Sequence, residues 1–190
     1  MPAIFSFFLS NNFLYEGRLT FGSWDLSKYA KEGDAVFWAN MGPNEMYWTV
    51  HLDNVRFSTD SKALEINSQY LILDTGSSYT MVPYFDFTNI IEFLQMSYGI
   101  DCDSDSDDDL ANLYFCDCSN QQYDTLPDLE MTVLEGAGSS NSYVYSVPKE
   151  AYMKRNIIGK NELLLIPQSN ASMYNSTTDE FYWVIGINLL

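Results

Sequence analysis

Apolar and polar residues alternate most clearly in YWTVHLDNVRF, residues 47 to 57. The alternation puts Trp48, Val50 and Leu52 on one face and Tyr47, Thr49, His51 and Asp53 on the other, which predicts a half-buried strand with His51 on its solvent side. IFSFFL, residues 4 to 9, reads as a buried strand, and GRLTFG, residues 17 to 22, as a second one between glycines. Asp25 to Tyr29 reads as a turn opened by an Asx cap. Further strands are predicted at LEMTVLEG from Leu129, at SYVYSVP from Ser142, at Leu163 to Ile166 and in the closing run FYWVIGINLL. Helical spacing is convincing once, over Phe85 to Tyr98, where Phe87, Ile90, Ile91 and Leu94 share a face and Gly99 ends the run. A short turn is expected around Lys149 to Tyr152. About eight to ten short strands with one or two short helices make a mostly β protein. No repeat or interdomain linker divides residues 1–190.

One strand breaks the pattern. LILDTGSSYTMVP, residues 71 to 83, runs from three aliphatic residues straight into Asp74, then into a glycine and three hydroxyls. An ionised carboxylate among aliphatics costs several kcal/mol, to order of magnitude, unless hydrogen bonds or a shared proton stabilise it. Gly76 lets the backbone turn tightly and frees amides to donate to Asp74, while Thr75, Ser77 and Ser78 are placed to orient it or to reach a ligand. An Asx-type turn between strand and helix fits the same residues. Acid catalysis would need a second carboxylate sharing a proton with the first, and Asp25, Asp53, Asp86 and Asp124 all lack the hydroxyl-glycine sequel. The chain holds half of such a site.

Composition narrows the classes of function. The 26 acidic against 9 basic residues give a net charge of −17, which argues strongly against a nucleic-acid partner or an anionic membrane surface. At low pH the self-repulsion would fall, as suits a lysosomal, vacuolar or extracellular setting, although solubility alone explains the same surface. The 12 Phe, 14 Tyr and 4 Trp, spread along the chain, favour strands over helices. Three cysteines, Cys102, Cys116 and Cys118, leave at least one thiol unpaired within the chain and allow one short-range disulfide. As a zinc site the 116/118 pair lacks two ligands, and no metal is expected. DCDSDSDDD, residues 101 to 109, opens like a calcium loop, but Ser106 and Asn112 stand where glycine and a bidentate glutamate are needed, so it reads as a solvated surface insertion. The sequons at Asn170 and Asn175 point to glycosylation and the secretory pathway. No signal peptide is visible at Met1, and no apolar stretch approaches the roughly 20 residues of a membrane helix.

The motif and its flanks together resemble the C-terminal lobe of the pepsin-like aspartic proteases, the bilobal eukaryotic family that includes cathepsin D. LILDTGSS followed by a helix resembles the family's second active-site motif, and GRLTFGSWDLSKY, YWTVHLDNV, TLPDLEMTV, SVPKEAYM and WVIG resemble further C-lobe segments in the same order, with IFSFFLS opening them. The resemblance implies one β-rich lobe of a peptide-cleaving enzyme working at acidic pH without metal or organic cofactor. It makes Asp74 the lobe's catalytic acid, Thr75 and Gly76 the support of its loop, and Ser77 and Ser78 substrate contacts. Hydrophobic-hydrophobic-Gly in WVIG is expected to thread beside that loop. The partners implied are a polypeptide substrate and an N-terminal lobe of the same full-length chain, or else a second copy; alone, the chain is expected to be inactive. A peptide-binding remnant of the same fold is the alternative. Residues 1–190 contain no first Asp-Thr-Gly, end before the family's last strands and carry Ile187 where the family has an aspartate. The family's disulfide partner near Leu163 to Ile166 is absent, leaving Cys102 to pair with Cys116 or Cys118.

Overall fold

The structure is a computed structural model that describes residues 4–8, 17–30, 33, 35–42, 46–104, 113–156, 160–168, 174–175 and 180–189. The chain forms two compact units, Met1–Trp38 and Ala39–Leu190.

In the first unit, β1 (Phe5–Phe8) and β2 (Arg18–Phe21) make an antiparallel pair with Phe5 opposite Phe21 and Phe8 opposite Arg18. α1 (Leu26–Tyr29) follows, capped by Asp25, whose carboxylate accepts the Lys28 amide at 3.2 Å and the Ser27 hydroxyl at 2.6 Å. The expected turn is therefore present as one turn of helix. β1 is not the buried strand that its composition suggested. Phe5 and Phe7 are exposed, and only the alternate positions are half-covered, with Phe8 4.7 Å from the Tyr29 ring. A two-stranded ribbon has one covered face at most, so an all-apolar run cannot bury both.

The second unit continues through β3 (Thr49–Phe57), β4 (Tyr70–Leu73), β5 (Thr80–Pro83), α2 (Tyr84–Tyr98), β6 (Asp101–Ser104), β7 (Tyr114–Asp117), α3 (Asn120–Thr125), β8 (Leu129–Leu134), β9 (Ser142–Val147) and α4 (Lys149–Tyr152). It closes with β10 (Met153–Lys154), β11 (Asn161–Leu163), β12 (Leu165–Gln168), β13 (Tyr174–Asn175) and β14 (Glu180–Ile185). The class is mostly β as predicted, but the helices number four rather than one or two among the described residues. α3 is held by a reciprocal cap between Ser119 and Gln122, a signal legible as Ser-x-x-Gln.

A large sheet runs in the order β12-β5-β14-β4-β3-β8-β9, with β13 paired to β14, and a smaller one runs β10-β11-β7-β6. α2 lays Phe87, Ile90 and Leu94 into a core shared with Leu52, Val55, Phe57, Leu129, Met131 and Trp183. It ends at Gly99 (φ 64°), whose amide donates to Gln95 O while the Ile100 amide reaches Leu94 O. β4 and β14 are apolar at nearly every position because both faces are covered. Leu71, Trp183 and Ile185 point into the main core, whereas Tyr70, Ile72, Tyr182 and Val184 form a second cluster.

Three expectations change here. The period of β3 is not kept: Thr49 is buried and Trp48 is 57% exposed, and beyond a bulge between Leu52 and Asn54 burial shifts to Val55 and Phe57. Asp101 to Ser104 is not the start of a surface insertion but β6, pinned to β7 by a Cys102–Cys116 disulfide between directly opposed residues. That pairing leaves Cys118 free. Leu163 to Ile166 is not one strand, because the chain leaves the small sheet after Leu163 and enters the large one at Leu165. Residues 105 to 109, Asn112 and the Asn170 sequon lie outside the described residues; Asn175 is in β13, with its side chain undescribed. Among the described residues no helix is long and apolar enough to cross a membrane, and no three His, Cys, Asp or Glu side chains converge as a metal site would require.

Candidate active site

β4 and β5 are joined by only residues 74 to 79, yet they do not pair with each other. β14 lies between them, parallel to β4 from Tyr182 opposite Tyr70 to Ile185 opposite Leu73, and meets β5 at Val184 opposite Met81. The loop must therefore step over the end of β14, about 10 Å at ordinary strand spacing. This crossing explains the glycine in WVIG. A Cβ on Gly186 would stand 2.3 Å from the Tyr79 carbonyl oxygen, so only a bare backbone passes beneath the loop. The segment expected beside the loop is beside it.

Asp74 begins the crossing. Its amide donates to Ile185 O at 2.9 Å, which extends the β4–β14 ladder one residue into the loop, and the Leu73 amide donates to Trp48 O at 2.9 Å. The chain then turns, and the Gly76 amide donates to Asp74 Oδ1 at 2.8 Å. Among the described residues nothing donates to Oδ2. Asp74 is half-buried, with one carboxylate oxygen oriented by backbone and the other available.

The hydroxyls divide into two kinds. Ser77 Oγ donates to Tyr79 O at 2.7 Å, so its proton is committed within the loop while its oxygen can still accept. Thr75 and Ser78 are exposed, and neither hydroxyl has a partner among the described residues. The Ile187 amide donates to Ser77 O at 2.8 Å, tying the loop to the chain beyond β14.

Beneath the loop is a polar knot that sequence reasoning did not anticipate. Thr80 is fully buried; its hydroxyl accepts from the Gly186 amide at 3.0 Å and donates to Asn188 Oδ1 at 3.1 Å. Asn188 Nδ2 donates in turn to Ala151 O and Leu164 O. No buried side-chain polar atom among the described residues is left without a partner. Asp86 was also passed over. It is fully buried in the first turn of α2 and accepts from the Asn67 amide at 2.7 Å, Ser68 Oγ at 2.5 Å and Trp183 Nε1 at 2.8 Å. The Trp183 bond fixes β14, and β14 supports the loop. Only an acid near the helix start and a tryptophan in the last strand hinted at this link.

His51 stands half-buried in β3 with its ring 4.9 Å from Tyr70, apart from the loop hydrogen bonds. Three apolar side chains tied to the loop or its flank by a backbone bond, Leu73, Trp48 and Ile187, are 39%, 57% and 44% exposed, beside the exposed Thr75 and Ser78 hydroxyls.

Comparison with known proteins agrees with the architecture. The model of the eukaryotic aspartyl protease family matches residues 2–186. A probable aspartic-type endopeptidase CTSD of Arthroderma benhamiae is 32% identical over 71 residues, 37% of this chain and 13% of that protein. Gastricsin of Oryctolagus cuniculus is 31% identical over 109 residues, 54% of this chain and 27% of its own length. The crystal structure of an aspartic proteinase from Irpex lacteus superposes with a TM-score of 0.63 at 18% identity, covering 97% of this chain and 49% of that one. The chain thus spans about half of the solved relative and a smaller share of the curated ones. With the family model covering nearly every residue, and a strand-loop-strand crossing built around Asp-Thr-Gly, this chain belongs to the eukaryotic aspartyl protease family.

Proposed function

We propose that residues 1–190 form the C-terminal lobe of a bilobal aspartic endopeptidase, and that Asp74 is one of two acids that activate water against a peptide bond. The observation that carries this reading is the carboxylate itself: Oδ1 is oriented by the Gly76 amide, and Oδ2 is open at the tip of a rigid strand crossing. A second carboxylate brought within hydrogen-bond reach would share one proton with it, since two close negative charges do not coexist cheaply. One member then takes a proton from water while the other polarises the scissile carbonyl, and the chemistry needs no metal or organic cofactor.

The second acid comes from an N-terminal lobe of the full-length protein. Three features support that partner: the ordered likeness to C-lobe segments, the share of the Irpex lacteus enzyme covered, and the exposed Trp48, Leu73 and Ile187 around the acid. Two copies of this chain would each carry a net charge of −17 at pH 7, a mutual repulsion that disfavours a symmetric dimer at neutral pH. In this reading the free Thr75 hydroxyl pairs across to the other lobe, Gly76 admits the substrate backbone, and Ser77 and Ser78 contact it. The Cys102–Cys116 disulfide, the sequons at Asn170 and Asn175 and the acidic composition support passage through the secretory pathway to a lysosomal, vacuolar or extracellular site.

Cleavage of a denatured protein at about pH 4 tests this, with the chain alone and fused behind a lobe that carries a first Asp-Thr-Gly. The fusion is expected to cleave, to be blocked by a transition-state peptide analogue and to lose at least about a thousandfold in rate as Asp74→Asn. Peptide binding by the fusion without cleavage would assign the chain to a non-catalytic remnant instead.

A further inference from the structure

We propose that Tyr79 and Glu162 are positioning residues that clamp the far arm of the Asp74 loop to the small sheet, an inference that rests on the protease reading of Asp74. The crossing is anchored at its start by the Asp74 amide on Ile185 O. Its far end enters β5, which pairs with β12 and β14 rather than with β4, and the Thr80 amide donates to Leu164 O at 3.1 Å.

Tyr79, the last residue before β5, adds a side-chain tie to the small sheet and acts on the loop in two ways. Its carbonyl lies directly over Gly186 and accepts the Ser77 hydroxyl, so any shift of residue 79 moves the backbone that follows Gly76. Its phenol reaches out of the large sheet and donates to Glu162 Oε1 on β11. Glu162 Oε2 is engaged by Lys154 Nζ at 3.0 Å from β10, so both carboxylate oxygens are occupied and the acceptor cannot rotate freely. β11 is itself held on both sides, by β10 and by β7, and β7 carries the disulfide to β6. The clamp thus ends on the covalently braced part of the molecule.

The electrostatics agree with the geometry. The Glu162 bond, then burial, then the Glu162 charge push the Tyr79 phenol up to about 12. Burial pushes Glu162 up, but the hydrogen bonds from Tyr79 and Lys154 and the Lys154 charge outweigh it and hold the carboxyl below its usual range. A donor bound to an ionised acceptor shifts both partners in these directions.

Amide hydrogen exchange on the 190-residue chain tests the clamp without requiring activity. The probes are the Gly76 amide, which bonds Asp74 Oδ1, and the Ile187 amide, which bonds Ser77 O; the Val55 amide of the buried core reports global opening. Tyr79→Phe and Glu162→Ala are each expected to speed exchange at Gly76 and Ile187 by about tenfold with Val55 unchanged, as local rather than global opening requires. The double variant should add nothing to the larger single effect, and Glu162→Gln, which keeps a carbonyl acceptor, should restore slower exchange. Equal acceleration at Val55, no change at Gly76, additive effects or failure of glutamine to rescue would each overturn the clamp. The peptidase assay bears separately on the protease reading: an inactive fusion whose Gly76 amide still responds to Tyr79→Phe refutes that reading and leaves the clamp in place.

Discussion

Asp74 and Asp86 show how much two similar residues can differ once folded. Both lie next to apolar runs, and only Asp74 is followed by the hydroxyl-glycine sequence that marks its turn. Asp74 has one oxygen held and one open at a half-buried loop tip, whereas Asp86 is fully buried and accepts from three donors on different segments. Losing the charge at Asp86 strands donors that have no water to turn to. Asp86→Asn is therefore expected to cost about 3 kcal/mol in a denaturant titration, with a change in Trp183 fluorescence, because hydrogen bonds to buried charged groups are among the costliest to break. The Asp74→Asn exchange has the opposite profile, a large loss of cleavage with stability kept within about 0.5 kcal/mol, since one backbone bond at a half-exposed site is all that changes.

Among the elements, the insertion of β14 between β4 and β5 is the feature that turns a strand-turn-strand sequence into a loop crossing over a neighbouring strand. Gly186 is required because Tyr79 O passes over it, and Thr80 and Asn188 fill the space below with satisfied polar bonds. The small sheet supports this crossing from outside through β11 and the β6–β7 pair. Cys102 and Cys116 close a loop with a sequence separation of 14, which constrains the unfolded chain, so replacing both by serine should lower stability by about 3 kcal/mol in thermal melts. The Glu162 link adds a pH dependence whose sign follows from its lowered carboxyl: the contribution is complete above the ordinary carboxylate value and is lost as pH falls through the lower folded value. Tyr79 works at the other end, contributing fully below its ordinary 10.0 and losing the contribution as pH rises through about 12. The gap in melting temperature between wild type and Glu162→Gln should accordingly narrow in strong acid, and a late-titrating phenolate should vanish from the absorbance titration of Tyr79→Phe.

Over the second unit as a whole, a well-packed core coexists with exposed apolar side chains near the acid. Leu73, Trp48 and Ile187 are exposed beside Asp74 while Val55, Leu129 and Trp183 are fully enclosed. In the proposed reading these three side chains face the N-terminal lobe. Placing a charge there should suppress association without disturbing the fold. Ile187→Glu is expected to reduce concentration-dependent light scattering of the isolated chain, with its thermal midpoint unchanged within about 3 °C.

Much of this was readable along the chain, for local reasons. The Phe85–Tyr98 periodicity and Gly99 specify α2 because helix and cap depend on residues a few positions apart, and Asp-Thr-Gly specifies a turn with an amide aimed at a carboxylate for the same reason. Six ordered segments around that motif were enough to indicate the family. The exposure of β1, the β3 bulge, the choice of Cys116 over Cys118 and the division of Leu163 to Ile166 between two sheets were not readable. Each depends on which strand lies opposite, a relation between residues far apart in sequence. The same holds for Asp86 with Trp183 and for Tyr79 with Glu162, partners 97 and 83 residues apart. Local chemistry dictated that an acid would stand at the end of a strand on a glycine turn. Pairing across the sheets dictated what holds it there.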